Sequence, residues 1–252
     1  MTGPADIIAI DAHVHLHDER DARRTLENAS ATFRRTTGRA DIAVCLLAER
    51  SGFNVFESLR AKLVPTRETE SLWLDESRRL LVLAGRQIVS AEGLEILGLA
   101  SLVPDRLDGR PAREIVSDLL ARGALTVLPW GAGKWFGHRG RIVDRLLWET
   151  ETSLFLGDNG GRPRFWPVRR FGRGVRVLAG SDPLPIPEGS AAIGSFGCLM
   201  QGSLPIDAPA AALRRYLSDP ETRVERYGRL ASPLRFAIDQ ARLRIGGRGG
   251  AG

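Results

Sequence analysis

The amino-acid sequence predicts an α/β protein that folds as a single domain built on a β/α barrel. Apolar strand-like segments alternate with amphipathic helical segments along most of the 252 residues, which is typical of parallel β/α architectures. Six or seven strand candidates suit a barrel better than an open dinucleotide-binding sheet, and no G-x-G-x-x-G motif follows any of them. Because no internal repeat or linker divides the chain, we expect the domain to span residues 1–245, followed by a disordered glycine-rich tail over 246–252.

The predicted elements follow the hydrophobic periodicity in chain order. A strand over 7–15 precedes a helix over 22–35, a strand over 42–47 and a helix over 54–63. Strand-like segments over 79–90 and 93–102 follow each other directly, which favours a hairpin or two neighbouring strands. A helix over 111–122 has Pro111 in its first turn and Gly123 just past its end. The remaining predicted elements are a strand over 124–128, a glycine-rich loop over 130–140, a helix over 141–148, strands over 153–156 and 175–179, and helices over 210–217 and 223–243.

The charge balance is basic, but its pattern argues against a dedicated nucleic-acid surface. The formal net charge is +6, and all basic residues except Lys62 and Lys134 are arginines. These arginines are interspersed with acids, and no run of five like charges occurs. We therefore expect a small-molecule partner and no specific nucleic acid.

The cysteines and the apolar segments indicate the cellular setting. Cys45 and Cys198 lie in apolar surroundings and are expected to be buried free thiols. No apolar segment approaches the roughly 20 residues of a membrane helix, and no signal segment stands before the first strand. The sequence therefore predicts a cytosolic protein without a membrane partner.

A histidine pair closes the first predicted strand. His13 and His15 lie two residues apart after an apolar run, so their side chains point to the same face, about 6.5–7 Å apart along the strand. Two imidazoles with this spacing can bind one metal ion. They stand at the carboxyl end of the strand, where β/α barrels keep their active sites. The alternative is a pair of histidines whose polar atoms are satisfied by solvent or by the core.

A late strand ends in the segment Gly-Ser-Asp, and its Asp182 is the natural partner of the histidine pair. An acid at the tip of the last barrel strand would face the first strand across the mouth. There it could bind a metal or act as the base that orients a metal-bound water. The alternative is a helix cap or turn residue, since prolines follow closely.

Four segments resemble the polymerase and histidinol phosphatase (PHP) superfamily. They are residues 11–16 (DAHVHL), 83–99, 123–129 and 179–182 (AGSD), in the family's order and over roughly residues 7–200. The resemblance implies a distorted seven-stranded β/α barrel that hydrolyses phosphoesters with a cluster of two or three metals. The direct succession of strands at 79–102 fits this family better than the eight-stranded amidohydrolases, which share the H-x-H motif and the late aspartate.

The family's metal ligands carry over only in part. His13, His15 and Asp182 match, and Glu95 stands where the family has a histidine and could still bind metal. The other family positions hold Gln87 in place of a glutamate, and Pro129 or Trp130 and Leu184 in place of histidines. Either a reduced site remains, mononuclear in its simplest form, with Glu95 or Glu92 as a further ligand, or the site serves without metal. The implied cofactor is a divalent ion such as Zn, Mn or Fe.

Two loops after later strands carry further candidate residues. The first holds Lys134 as an anion-binding group and His138 as a possible ligand or general acid. The second places Asp158 as a catalytic candidate at the end of a strand. Candidate substrate-binding residues in this second loop are Asn159, Arg162 and Arg164. For both loops the alternative is an ordinary solvated surface.

The leading functional hypothesis is a metal-dependent hydrolase, namely a phosphoesterase that acts on a small anionic substrate. His13, His15 and Asp182 would hold the ion, and basic loop residues would neutralise the substrate. Two alternatives stay open. One is a catalytically inactive barrel that serves as a binding module, because several family ligands are missing. The other is an amidohydrolase-type C–N or lactone hydrolase, which needs only one metal and the same three ligands.

Overall fold

The computed structural model describes residues 5–150, 154–172, 174–185 and 189–246. Within these ranges the chain forms twelve strands and six α-helices. The strands are β1 (Asp6–Val14), β2 (Ile42–Leu47), β3 (Val64–Pro65), β4 (Ser71–Trp73), β5 (Leu80–Leu83), β6 (Gly85–Val89), β7 (Glu95–Leu99), β8 (Leu125–Pro129), β9 (Leu154–Asn159), β10 (Val177–Gly180), β11 (Phe196–Gly202) and β12 (Glu225–Gly228). The helices are α1 (Ala22–Thr37), α2 (Val55–Leu59), α3 (Ala112–Ala121), α4 (Gly137–Glu149), α5 (Pro209–Ser218) and α6 (Pro233–Gly246).

The described strands form two mixed sheets. The first has the order β12-β11-β1-β2-β5-β4-β3 and the second the order β10-β9-β8-β7-β6. In the first sheet β1 and β2 run parallel, whereas β11 pairs antiparallel with β1. In the second sheet β8, β9 and β10 run parallel, while β6 and β7 form an antiparallel hairpin. This hairpin is the succession of strands that the sequence predicted near residues 79–102.

The prediction of a distorted seven-stranded β/α barrel was wrong, because the described strands do not close into one. β11 occupies the free edge of β1, so β10 cannot extend the hydrogen-bond ladder there. β5 occupies the outer edge of β2 in the same way and keeps β6 off it. The two sheets instead meet at isolated contacts, where Asp182 N–H donates to His13 O at 2.9 Å and Glu49 bridges to Arg86.

The core lies between the sheets and on their outer faces. One cluster of buried side chains draws on both sheets, from Ile10 of β1 to Phe155 of β9. A second cluster packs α1 and α2 onto the first sheet, with Leu26 and Phe33 fully buried. A third packs α3 and α4 onto the second sheet. The carboxyl ends of β1 and β10 are therefore held in a rigid frame, which positions the residues described below.

The predicted elements agree with the structure best where the hydrophobic pattern is strong. The strand predicted over 42–47 matches β2, and the helices predicted over 22–35 and 111–122 match α1 and α3 within two residues. The single strand predicted over 79–90 is two strands, β5 and β6, which belong to different sheets. The helix predicted over 223–243 begins only at Pro233, since the preceding residues form β12. Of the predicted tail over 246–252, Gly246 ends α6 and the rest lies outside the described residues.

Two further observations concern the cysteines and the length of the apolar helices. Cys45 and Cys198 are free and buried, as the sequence predicts. In the described part of the chain, no helix is both long and apolar enough to cross a membrane. The cytosolic location and the extent of the domain over 1–245 stay predictions.

Candidate metal centre

The two histidines converge at the end of β1. An extra residue in β1 relative to β2 between Asp11 and Val14 shifts the register just before His15. His13 and His15 are each only 4% exposed, and their rings meet edge to face with centroids 4.8 Å apart. Their Nε2 atoms lie 3.0 Å apart. Two ring nitrogens aimed at the same point, away from solvent, form one side of a binding site.

Asp182 supplies the third candidate ligand, from the segment after β10. Its Oδ1 lies 3.6 Å from the Nε2 of His13 and 3.6 Å from the Nε2 of His15. The backbone of Asp182 has φ 47°, a left-handed conformation that a residue with a side chain adopts at an energetic cost. The other carboxylate oxygen of Asp182 is fixed by a hydrogen bond, because Asn159 Nδ2 donates to its Oδ2 at 3.0 Å. The carboxylate is therefore fixed in a strained backbone segment with one oxygen facing the histidines.

These three side chains fit a metal ion. Imidazole nitrogens and carboxylate oxygens bind metals such as zinc at about 2.0–2.2 Å, which places neighbouring donors of a tetrahedral site roughly 3.3–3.6 Å apart. The separations of 3.0 and 3.6 Å lie close to that range. His13, His15 and Asp182 thus form a group that could bind a metal, as the sequence predicts, and the identity of the ion is open.

Gln87 is a fourth polar side chain at this point. It lies in β6, is 5% exposed, and places its Oε1 3.2 Å from the Nε2 of His13. Its backbone N–H donates to Glu49 O at 2.8 Å, where the two sheets meet. An amide oxygen is a neutral donor, so Gln87 adds a polar contact without adding charge. Its position opposite His13 depends on the packing of β6 against the first sheet.

The electrostatics keep the ligands in their metal-binding forms. Burial, and after it the neighbouring His13, lower the pKa of His15 to about 3. His15 is therefore a neutral imidazole at physiological pH. Burial opposes ionisation of Asp182, yet its pKa lies below the ordinary value, because the adjacent side chains of His13 and His15, followed by Lys134 and Arg50, stabilise the carboxylate. Asp182 is therefore an anion, and the group combines the neutral imidazole of His15 with one negative carboxylate.

Asp11 ties the histidine strand to the segments that follow β10. Its fully buried carboxylate accepts backbone N–H groups of Ser181 and Gly194, both at 2.8 Å, and of His13 at 3.3 Å. Burial raises the pKa of Asp11 to about 6, although these hydrogen bonds act in the opposite direction. The side chain joins the backbone around His13 to the backbone around Asp182, so both ligands keep their relative position.

The lowered pKa of His15 predicts a pH-dependent stability in metal-free protein. Between pH 6 and 4 the unfolded chain takes up a proton at His15, with an ordinary pKa near 6.5, and the folded chain does not. His15 therefore contributes a loss of stability of roughly 1–1.4 kcal/mol per pH unit as the pH falls, and the raised pKa of Asp11 opposes this loss in the same pH range. We expect the difference between the pH curves of wild type and His15→Gln, measured in urea titrations with chelator, to have the slope of the His15 contribution. Asp11 contributes equally to both proteins, so parallel pH curves would contradict the assignment.

The predicted anion-binding residue Lys134 and the predicted metal ligand Glu95 form an ion pair. Lys134 Nζ lies 2.5 Å from Glu95 Oε1, and the charge of Lys134 reaches Asp182. Glu95 does not belong to the metal-binding group found among the described residues. The aliphatic stem of Lys134 crosses Gly131 where a Cβ would overlap it. The loop after β8 thus packs the side chain of Lys134 over Gly131, and the ammonium group of Lys134 is directed toward Glu95.

The residues predicted after β9 fall into two places. Asn159 lies at the group, where its Nδ2 also donates to Trp130 O at 3.0 Å. Asp158 is fully buried in a separate ion cluster, paired with Arg162 at 2.6 and 2.9 Å and with Arg226 at 2.6 Å. Arg162 is itself buried and donates to Trp166 O at 2.6 Å. The carboxylate of Asp158 and the guanidinium of Arg162 therefore hold the loop after β9 together.

The last two predicted residues lie at the surface. His138 is exposed in the first turn of α4, where its charge acts on Glu92. Arg164 is exposed, and its backbone N–H donates to Ala231 O at 3.1 Å. Arg50 was not predicted as a site residue, although its positive charge helps to lower the pKa of both His15 and Asp182. Its basic charge directly after β2, where parallel strands carry site residues, is the signal that could have identified it.

Gly180 lets β10 approach β1, and its replacement is expected to open the centre. A Cβ at this position would overlap the backbone N and the Cβ of His13. We expect Gly180→Ala to cost about 1–3 kcal/mol of unfolding free energy and to weaken metal binding roughly tenfold or more, since β10 carries Asp182. Urea unfolding and metal titration measure the two effects. The matched variant is Gly172→Ala, where a Cβ meets nothing within 4 Å, and equal behaviour of the two variants would contradict the prediction.

The comparisons with known proteins concern the fold. No protein-family model and no curated protein matches the sequence. PsfC from Pseudomonas syringae PB-5123 is similar in structure, with a TM-score of 0.59 and 14% identity over 95% of this chain and 99% of that chain. The lesion-specific endonuclease PfuEndoQ from Pyrococcus furiosus has a TM-score of 0.57 and 12% identity, and the match covers 86% of this chain and 57% of that chain.

A third similar structure corrects the predicted partner. Endonuclease Q in complex with a 27-mer duplex substrate, with an abasic lesion at the active site, has a TM-score of 0.53 and 12% identity over 84% of this chain and 56% of that chain. The chain thus spans little more than half of the endonuclease Q chains. The prediction of a small anionic substrate and no nucleic acid was wrong, because a protein with this fold has been solved in complex with a duplex substrate. The chain shares its fold with PsfC and with the corresponding part of endonuclease Q.

Proposed function

We propose that this chain is a metal-dependent hydrolase that cleaves phosphodiester bonds of nucleic acid. The observation that carries the proposal is the convergence of His13, His15 and Asp182 on one point. This donor set suits a divalent ion, which when bound activates water and polarises a phosphoryl group. The fold shared with endonuclease Q supports nucleic acid as the substrate class.

The residues around the group have separate tasks in this proposal. His13 and His15 would hold the ion through their Nε2 atoms, and Asp182 would contribute the negative charge. Asn159 positions the carboxylate of Asp182 by donating to its outer oxygen. Asp11 fixes the backbone around the ligands through the amides that it accepts. These contacts hold the ligand atoms still, which lowers the cost of assembling the site.

Positive charge near the group would receive the phosphate backbone. Arg50 and Lys134 are close enough to lower the pKa of Asp182, so they would also attract an anionic phosphodiester. Arg164 lies exposed on the loop after β9 and could contact a more distant phosphate. The chain has no aspartate or glutamate between Asp158 and Asp182, although it has six arginines there. The sequence pattern therefore concentrates cations in the loops beside the group.

The experiment is a hydrolysis screen with chelator-treated protein prepared without a histidine tag. Single-stranded and duplex oligonucleotides, with and without an abasic site, are incubated with protein and added Zn²⁺, Mn²⁺ or Fe²⁺, beside amide and lactone substrates. We expect cleavage of an oligonucleotide that depends on added metal and is lost in His13→Ala. Hydrolysis confined to amides or lactones would replace this proposal by the C–N or lactone hydrolase. Binding of oligonucleotides without any hydrolysis would replace it by the binding module.

A further inference from the structure

A groove lined by aromatic and small residues lies outside the candidate metal centre. Its volume is about 550 Å³, which is within the usual range for a ligand site. The lining, called the aromatic groove below, consists of Ala132, Gly133, Phe136, Trp166, Phe236, Ala237 and Ala241. It therefore lies between the loop after β8, the loop after β9 and α6.

The aromatic groove is connected to the metal-binding group through Trp130. The carbonyl of Trp130 accepts a hydrogen bond from Asn159, the residue that holds Asp182. The ring of Trp130 meets the ring of Trp166 edge to face, with centroids 5.8 Å apart. Lys134 belongs to the same loop as the groove residues, and its charge reaches Asp182. The aromatic groove and the metal-binding group thus share the loop after β8 and the contacts of Trp130.

The rings of the groove offer flat faces rather than a closed apolar pocket. Phe136 and Trp166 lie nearly parallel, with an interplanar angle of 23° and centroids 6.4 Å apart. Phe136 is 61% exposed, so a face of its ring is accessible to a ligand. Phe236 of α6 meets Trp166 edge to face at 6.3 Å. Exposed, parallel aromatic faces are the feature on which nucleobases stack.

The charge around the aromatic groove is complementary to nucleic acid. Both lining loops lack acids, since none occurs from Trp130 to Val143 or from Asn159 to Ser181. Arg139 donates to Gly133 O at 3.1 Å and so stands at the edge of the groove. Arg164 is exposed two residues before Trp166 and has no ion pair among the residues described. A planar apolar floor with cations at its rim matches a base and its flanking phosphates.

The groove is anchored to the rest of the molecule. Ala231, which precedes α6, donates to Gly160 O at 3.0 Å and to Arg162 O at 3.1 Å and accepts from Arg164 N–H at 3.1 Å. Arg162 is held in turn by the buried carboxylate of Asp158. The start of α6 is therefore fixed against the loop that carries Trp166, and a preformed site loses less entropy when it binds.

We propose that the aromatic groove receives an unpaired nucleobase of the nucleic-acid substrate, stacked on Phe136 and Trp166. The inference rests on the proposed function for its substrate class and adds a subsite to it. A base must leave its duplex partner to present its face, so the groove favours single-stranded or flipped nucleotides over continuous duplex. The neighbouring phosphate would then lie toward Lys134 and the metal-binding group.

The test measures binding in the presence of chelator, so that it does not depend on hydrolysis. Fluorescence anisotropy gives the affinity of wild type, Phe136→Ala and Phe165→Ala for a single-stranded oligodeoxynucleotide and for an abasic oligonucleotide of the same length. Phe165→Ala is the matched control, because this phenylalanine is 62% exposed and lies outside the groove. We expect Phe136→Ala to weaken binding of the base-bearing strand by roughly 5- to 150-fold and Phe165→Ala to weaken it less than twofold.

A second measurement places the base at Trp166. Stacking is expected to quench tryptophan fluorescence when the base-bearing strand is added, and Trp166→Phe is expected to remove this quenching. Equal affinities of wild type and Phe136→Ala, or the same loss on the abasic strand, would overturn the inference. So would a change in oligomeric state of Phe136→Ala, measured by light scattering, with unchanged base binding, since the groove would then be an interface between copies. Base-dependent binding without hydrolysis under any metal overturns the proposed function and leaves this subsite standing.

Discussion

Replacing His13 by alanine is expected to lower the affinity for divalent metal by at least about 100-fold. The Nε2 of His13 lies 3.0–3.6 Å from polar atoms of His15, Gln87 and Asp182, so three side chains of the centre converge on it. Its loss removes a ligand as well as the partner that orients the others, and weaker outer contacts alone are worth roughly 10- to 100-fold. Isothermal titration of chelator-treated protein with Zn²⁺ or Mn²⁺ measures the change.

The matched control for this prediction is His138→Ala. His138 is an exposed histidine outside the group, and its removal is expected to change the metal affinity less than twofold. Circular dichroism of both variants checks that the fold is retained. If His138→Ala lost metal and His13→Ala kept it, the ion would belong to the loop after β8 and not to the end of β1.

Replacing Asp158 by asparagine is expected to cost about 3–5 kcal/mol of unfolding free energy. The carboxylate is fully buried and pairs with Arg162, whose side chain is 7% exposed, and with Arg226. Removing its charge leaves the guanidinium of Arg162 buried without a compensating anion. Urea unfolding at neutral pH measures the loss, which is larger than that of most single substitutions.

The control for Asp158→Asn is Asp118→Asn on α3. Asp118 forms an exposed pair with Arg122 one helical turn away, and such pairs contribute about 0–1 kcal/mol. If Asp158→Asn unfolded like the control but lost hydrolysis, Asp158 would be the catalytic residue that the sequence analysis predicted. The large loss of stability that we expect assigns it to the support of the loop after β9.

The parts of the fold that the sequence predicts are those with a local signal. The apolar run before His13 predicts β1, and the amphipathic period from Ala22 predicts α1. The closed barrel was wrong because β11 was not predicted. Its residues Phe196–Gly202 contain two glycines, and its role depends on antiparallel pairing with β1 almost 200 residues away. Long-range pairing of this kind leaves no periodic signal in a short window of sequence.

The candidate site likewise has residues that the sequence predicts and contacts that it does not. His13, His15 and Asp182 could be selected because each stands at the end of an apolar segment, and the structure brings them together. The contact of Gln87 with His13 depends on how the two sheets meet, which the pattern of either strand does not contain. The partner of Asp158 is likewise distant, since Arg226 lies 68 positions later in the chain. The position of Asp158 at a strand end predicted a catalytic role, whereas the structure shows its carboxylate in a buried ion cluster.

The most direct test of a single metal centre is anomalous diffraction from crystals soaked in Zn²⁺ or Mn²⁺. Data collected above and below the absorption edge of the metal locate each bound ion and count the ions per chain. We expect one strong peak per chain, in contact with the Nε2 atoms of His13 and His15 and with Oδ1 of Asp182. The absence of a peak at these atoms, with or without strong peaks elsewhere, would contradict the account.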